Sequence, residues 1–192
     1  AEIIAMRESG RMLATILGIV NDKITAGIST KEIADLAASE LKSLGGAPTF
    51  LGYYGFPDVI CISVNDEVVH GIPGKTIIKN GDIVSFDFGV TYNGMITDAA
   101  RSVLVGPDNK AKLQLLAATS ASLDAGIAVV KNGVKVGDIS AAVQDVLDGG
   151  GYGIVRDLVG HGVGHALHED PNVPNYGRAG TGPVLTTGMT IA

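Results

Sequence analysis

The stretch SFDFGVTYNGMITDAARS, residues 85–102, carries the strongest structural signal in this chain. Asn93-Gly94 is the dipeptide that two-residue hairpin loops favour, because both turn positions need positive φ. Asp82–Val90 and Met95–Val105 on either side are rich in β-branched residues and read as strands. Asp87 and Asp98 stand eleven positions apart on the two arms, so both carboxylates can reach one neighbourhood of a sheet. The bland alternative makes Asp98 a turn cap and Asp87 an edge charge. Asp87, however, sits inside Val84–Phe88, where a buried and unpaired carboxylate would cost several kcal/mol, so a paired-carboxylate metal site is the better reading.

Helices precede this sheet. Ile3, Ile4, Leu13, Ile16, Leu17, Val20 and Ile24 recur at three- and four-residue intervals, which predicts an amphipathic helix ending near Gly27 with that face in the core. Ser29 followed by Glu32 is a capping box for a second helix, carried by Ile33, Leu36, Ala37 and Leu41 and stopped by Gly45-Gly46. A first strand is expected over Val59–Val64. After Pro107 the helical period returns through Lys110–Val130 and Ile139–Leu147; Gly149–Gly151 then breaks it, and short strands are expected around Ile154–Val159.

Helix, helix, sheet thus occurs twice. Ile24–Gly27 lines up with Val134–Gly137 at an offset of 110, which sets Ile33 on Val143 and Leu36 on Val146. The expectation is one domain with internal halves, about 1–105 and 107–192. The second half has fewer residues beyond its glycine than the first, so its last strands are expected to be missing. The chain opens on Ala1, and Met189–Ala192 reads as the start of an apolar strand with no turn, so the sequence is expected to be cut at both ends.

Composition bounds the function. The chain has 192 residues, 46% hydrophobic and 18% charged, enough for one substantial core. A net charge of −6 without a Lys/Arg run offers no phosphate-neutralising surface, so no nucleic-acid partner is expected. No segment approaches the ~20 apolar residues of a membrane span, and no membrane association is expected. The only cysteine, Cys61, lies in an apolar run, which suits a reducing compartment and a cytoplasmic protein.

All four histidines fall in two segments, His70 in VVHGIP and His161, His165 and His168 in GHGVGHALHEDP. Such concentration suits a metal or proton-transfer site. His161 and His165 have the spacing of a zinc helix, but Gly160, Gly162 and Gly164 argue for a strand or extended turn. Alternation then points both the same way unless a bulge intervenes, and spacing alone does not choose between them.

The blocks GYYGFPDVICISVNDEVVHGIP, DIVSFDFGVTYNGMITDAARSVLVG, LVGHGVGHALHEDPNVPNYG and GTGPVLTTGMTIA, together with AMRESGRML, are similar in order and spacing to the bacterial type of methionine aminopeptidase. The resemblance covers nearly the whole chain. It implies an α+β pita-bread fold, two pseudo-symmetric halves around a curved antiparallel sheet. It implies that Asp87, Asp98 and His161 are metal ligands, that His70 and His168 contact substrate, and that His165 is dispensable. Tyr53, Phe56, Cys61 and Leu167 match the positions lining the family's methionine pocket, whose aromatic and sulfur walls suit an unbranched, polarizable thioether.

The implied reaction is removal of the initiator methionine from nascent polypeptides, near the ribosome, by water activated between two divalent ions ~3.5–4 Å apart. A free α-amine would anchor the substrate, His168 would stabilise the oxyanion, and His70 would hydrogen-bond near the scissile amide. Mostly carboxylate ligands with one imidazole favour Mn, Fe(II) or Co without excluding Zn. The family also supplies two glutamate ligands, the first in an Ile-Glu-Pro segment directly after the position of Ala192. Two divalent ions carry +4 against −2 from Asp87 and Asp98. The 192 residues are therefore expected to be inactive alone, and the complete protein to be longer and monomeric. An Xaa-Pro dipeptidase of the same fold shares the two-aspartate hairpin but normally carries an extra amino-terminal domain. A catalytically dead binding scaffold would tend to have lost ligands that are intact here.

Overall fold

A computed structural model describes residues 1–192. The chain folds as two compact units, Ala1–Asn109 with Gly164–Leu167, and Lys110–Val163 with His168–Ala192.

In the first unit, helices α1 (Glu2–Lys23) and α2 (Thr30–Leu44) precede strands β1 (Ala47–Pro48), β2 (Ile60–Val64), β3 (Ile83–Tyr92) and β4 (Met95–Leu104). The expected capping box is complete: Ser29 Oγ accepts from Glu32 N–H at 3.2 Å, and the Glu32 carboxylate accepts from Ser29 N–H at 2.8 Å. Gly45, at φ 80°, ends α2 in the left-handed conformation. Asn93 and Gly94 take φ of 48° and 79°, as the predicted hairpin turn requires.

Strand β3 is central, with β4 along one edge and β2 and β1 along the other, all antiparallel. Its alternation separates two environments. Val84, Phe86, Phe88 and Val90 point with Ile60 and Ile62 into a core completed by Leu13, Ile16, Leu17 and Val20 of α1 and Ile33, Ala34, Ala37 and Leu41 of α2. Asp87, on the opposite face, is half-buried. Ile3 and Ile4, expected in the core, are 70% and 74% exposed. At ~100° per residue they lie more than a quarter-turn from the stripe through Ala5, Met12 and Ile16, so recurrence of apolar residues near a helix start overstated the buried face.

In the second unit, α3 (Lys110–Ala128) and α4 (Val136–Gly149) precede β5 (Val159–Gly162) and β6 (Glu169–Pro174), an antiparallel pair with a bulge between Gly160 and Gly162. The helices approach closely at Gly126, where a Cβ would meet Val143 Cγ2 at 2.9 Å. Residues 154–158, expected as strand, have no ladder partner, and pairing starts only at Val159. Strand β6 was not anticipated, because EDPNVP is polar and proline-bearing. Met189–Ala192 pairs with β5 through an isolated bridge of Ile191 to Gly162, with Ala192 N–H donating to His161 O at 2.8 Å.

Helices α2 and α4 bury matching faces, at an offset other than the 110 expected between the halves. The N-caps of α2 and α4 are Ser29 and Lys135, 106 residues apart. That offset matches Thr30, Ile33, Ala34 and Ala37 to Val136, Ile139, Ser140 and Val143, all buried. The expected offset of 110 differs from this by four, about one helical turn, which also sets apolar on apolar. No helix is long and apolar enough to cross a membrane.

Candidate active site

The β3–β4 register fixes the relation of the two aspartates. Asp87 stands opposite Ala100 and Asp98 opposite Gly89, so the carboxylates are diagonal neighbours on one face of the hairpin. Such diagonal positions have Cα atoms ~7–8 Å apart, with the side chains leaning closer. Both are half-buried. On the other edge of β3, Cys61 stands directly opposite Asp87. Burial, then the charges of Asp87 and Asp98, push the Cys61 thiol up to about 12, so all three groups share one electrostatic neighbourhood and the thiol stays neutral.

Beside the carboxylates lies an apolar cluster of buried Phe50, Cys61 and Leu167, with Tyr53, Phe56 and Ile96 packed against it. Tyr53, Phe56, Cys61 and Leu167, expected together from resemblance, are thus brought together. Phe50 and Ile96 had gone unnoticed. Ile96 was within reach of sequence reasoning, since it lies two positions from Asp98 on the same strand and so on the same face. Phe50 had no comparable signal. It settles there because a Cβ on Gly89 would meet its ring at 2.7 Å, so only glycine at that position admits it. Leu167 arrives on a segment held by the Ile96 N–H bond to Gly164 O at 2.7 Å.

The two first-unit histidines lie on loops. His70 is exposed with φ 59°, in the stretch between β2 and β3. His165 Nε2 sits 3.1 Å from Glu2 Oε1, with both side chains about 70% exposed, a pairing that solvent leaves weak.

In the second unit, half-buried His161 and exposed His168 meet edge to face, with ring centroids 4.3 Å apart. His161 lies on β5, and its Nδ1 is 2.9 Å from Gly162 O. A proton on Nδ1 satisfies that contact and leaves Nε2 as the nitrogen with a lone pair for a ligand. His165 lies in a bend beyond the strand, so the alternation that would have aligned it with His161 does not extend to it.

The donor chemistry of Asp87 and Asp98 fits a divalent cation in kind, two carboxylates converging on one face. In number it is short: no group of three or more His, Cys, Asp or Glu that could hold a metal is assembled.

Residues 4–192 match metallopeptidase family M24. The chain belongs to this family. A methionine aminopeptidase of Clostridium perfringens is 43% identical over 191 residues, covering 100% of this chain and 77% of the relative. Methionine aminopeptidase 1 of Bacillus subtilis matches equally, 43% over 191 residues and 77% of its length. Among solved structures, the methionine aminopeptidase of Thermotoga maritima superposes with a TM-score of 0.97 at 41% identity, covering 99% of this chain and 77% of that one. A prolidase from Pyrococcus furiosus, at 23% identity and a TM-score of 0.84, shares the fold. The fold class is thus the α+β pita-bread architecture of M24 metallopeptidases, a family whose description implies divalent metal ions.

Proposed function

We propose that this chain is the catalytic domain of a methionyl aminopeptidase, which removes the initiator methionine from newly made polypeptides in the cytoplasm. The observation that carries the reading is the apolar cluster of Phe50, Tyr53, Phe56, Cys61, Ile96 and Leu167 beside the carboxylates of Asp87 and Asp98, in a chain 43% identical to methionine aminopeptidases. We read the full-length protein as a monomer that meets its substrates near the ribosome.

Asp87 and Asp98 would hold the metal through their carboxylates, with His161 as a further ligand through Nε2. The donor set, mostly carboxylate with one imidazole, suits two divalent ions drawn from Mn, Fe(II), Co and Zn. When bound, they supply a Lewis acid and lower the pKa of coordinated water. The protein's own residues do the rest. The cluster excludes water around an unbranched thioether and rejects charged side chains. Cys61, held neutral, keeps that wall free of charge. His70 donates or accepts a hydrogen bond near the scissile amide, and His168 stabilises negative charge developing on the carbonyl oxygen.

The test assays the intact protein with Mn²⁺ or Co²⁺ on Met-Gly-Met, acetyl-Met-Gly-Met and an Xaa-Pro dipeptide. Release of methionine from the free-amine peptide alone supports the reading. Cleavage of the Xaa-Pro peptide in preference to Met-Gly-Met refutes it in favour of a dipeptidase.

A further inference from the structure

We propose that Ser63 is a positioning residue whose hydroxyl fixes the backbone that carries His70. This rests on the reading of His70 as a substrate contact.

The loop from Asn65 to Gly74 is exposed over most of its length, Val68, Val69 and Ile72 being 60%, 44% and 62% exposed. It has no helix or ladder of its own to hold it. Its order comes from a few pins. Asn65 N–H donates to Ile83 O at 2.9 Å at the start. At the far end, Gly74 N–H donates to Thr30 Oγ1 at 2.8 Å and Gly74 O accepts from Lys31 N–H at 3.0 Å. Between them two residues are tied to β2: Glu67, whose N–H donates to Val64 O at 3.2 Å and whose carboxylate accepts from Val64 N–H at 2.9 Å, and Gly71, held by two consecutive residues of the strand next to His70. Gly71 N–H donates to Ser63 Oγ at 3.0 Å, and Gly71 O accepts from Ile62 N–H at 2.9 Å.

The first of these bonds bears on His70. The N–H of Gly71 belongs to the peptide unit joining it to His70, so the Ser63 hydroxyl sets the ψ of His70. His70 sits at φ 59°, a basin that few non-glycine residues occupy unless their surroundings over-determine it. Gly71 itself is irreplaceable, since a Cβ there would overlap Ile62 O. Ser63, 4% exposed, is rigidly placed on the strand opposite Ser85. A fixed strand residue thus orients an imidazole that would otherwise ride on a mobile loop, and an imidazole serves as a hydrogen-bonding group only within a few tenths of an ångström and some tens of degrees of its working geometry.

The test has two readouts in Ser63→Ala. By NMR on the intact protein, hydrogen exchange of the Gly71 amide should accelerate about tenfold or more. The His70 Cα and Cβ shifts should leave left-handed values while β2 and β3 amides keep their protection. Unchanged Gly71 exchange and His70 shifts overturn the proposal. In the intact protein, kcat for Met-Gly-Met should fall about tenfold with KM nearly constant, and the loss should vanish in a His70→Ala background. An equal loss in both backgrounds overturns the proposal even if the loop loosens. Wild-type turnover of His70→Ala alone overturns the reading of His70 as a substrate contact, and with it the functional half of this inference, whatever the NMR shows.

Discussion

The two halves of the chain use one helix-and-strand code with unequal results. In the first, α1 and α2 lay their stripes on a four-stranded sheet, and nineteen buried residues form one cluster. In the second, α4 buries the same positions as α2 at an offset of 106, yet the corresponding cluster holds five buried residues on a two-stranded sheet. Within these 192 residues, α3 leaves Leu113, Leu115, Leu123 and Ile127 40%, 40%, 60% and 60% exposed, and its buried residues are only Ser122 and Gly126. Burial of an apolar stripe is therefore not a property of the helix that carries it. It needs a partner surface, which the ten-residue arms of the β3–β4 hairpin provide in the first half.

The same hairpin carries the carboxylates, so the sharpest division between the halves should be chemical. Asp98→Asn should lower kcat/KM for Met-Gly-Met by orders of magnitude in the intact protein, because a neutral amide supplies no charge to a cation. His165→Ala should leave it unchanged, because its imidazole is exposed and pairs with the exposed Glu2. Near-normal turnover of the Asp98 variant would remove the hairpin from the chemistry.

Stability should divide the same way. Ile33 and Ile139 occupy matching positions on α2 and α4, 0% and 5% exposed. Ile33→Ala should cost ~4 kcal/mol and Ile139→Ala ~2 kcal/mol in urea unfolding, both within the range for isoleucine truncation, because the sparser cluster can collapse around the deletion. Equal losses would show that the second core is as tightly packed as the first.

Sequence reading reached unequally into the two halves for a related reason. In the first, signals agree at every level: the Ser29–Glu32 box, the Gly45 stop and the Asn93-Gly94 turn each name a local backbone geometry that the tertiary core reinforces. The carboxylate pair followed from that turn, because hairpin register places Asp87 and Asp98 on one face. In the second half, β6 and the non-strand 154–158 were misjudged, since Gly, Pro and charge there leave pairing to be decided by long-range contacts. The expected offset differs from that of α2 and α4 by a helical turn for want of a cap signal at Lys135. Phe50, Gly89 and Ser63 were invisible because their roles come from close approach across the sheet, which no periodicity encodes.

The caps offer a smaller test. An ammonium cannot accept a hydrogen bond, so at α4 only the return half of a box exists, Asp138 Oδ2 accepting from Lys135 N–H at 3.0 Å. Ser29→Ala should therefore cost about 1 kcal/mol, whereas Lys135→Ala should shift the urea midpoint much less. A comparable loss at Lys135 would mean that its bond to Gly180 O, at 2.9 Å, supports the second half as strongly as a cap supports the first.

Smallest of all is the acid response. The Ser29 hydroxyl and amide hold Glu32 below its ordinary value of 4.5, and the amides of Gly180 and Lys135 hold Asp138 below 3.8. A depressed carboxylate contributes stability that is complete above its ordinary value and is lost as pH falls through the folded one. Glu32 is exposed and Asp138 only half-buried, so the effect is slight and shrinks with salt. The two should nonetheless differ in reach. Glu32 bonds within its own turn, whereas Asp138 Oδ1 accepts from Gly180 N–H at 2.7 Å across 42 residues. Glu32→Gln should flatten the fall in thermal midpoint between about pH 5 and pH 3 without changing distant amides. Asp138→Asn should flatten it too and also raise hydrogen exchange at Gly180. If Gly180 stays protected, the second half's loop is held by Lys135 and Gly137 rather than by this carboxylate, and the two acidic residues are equivalent after all.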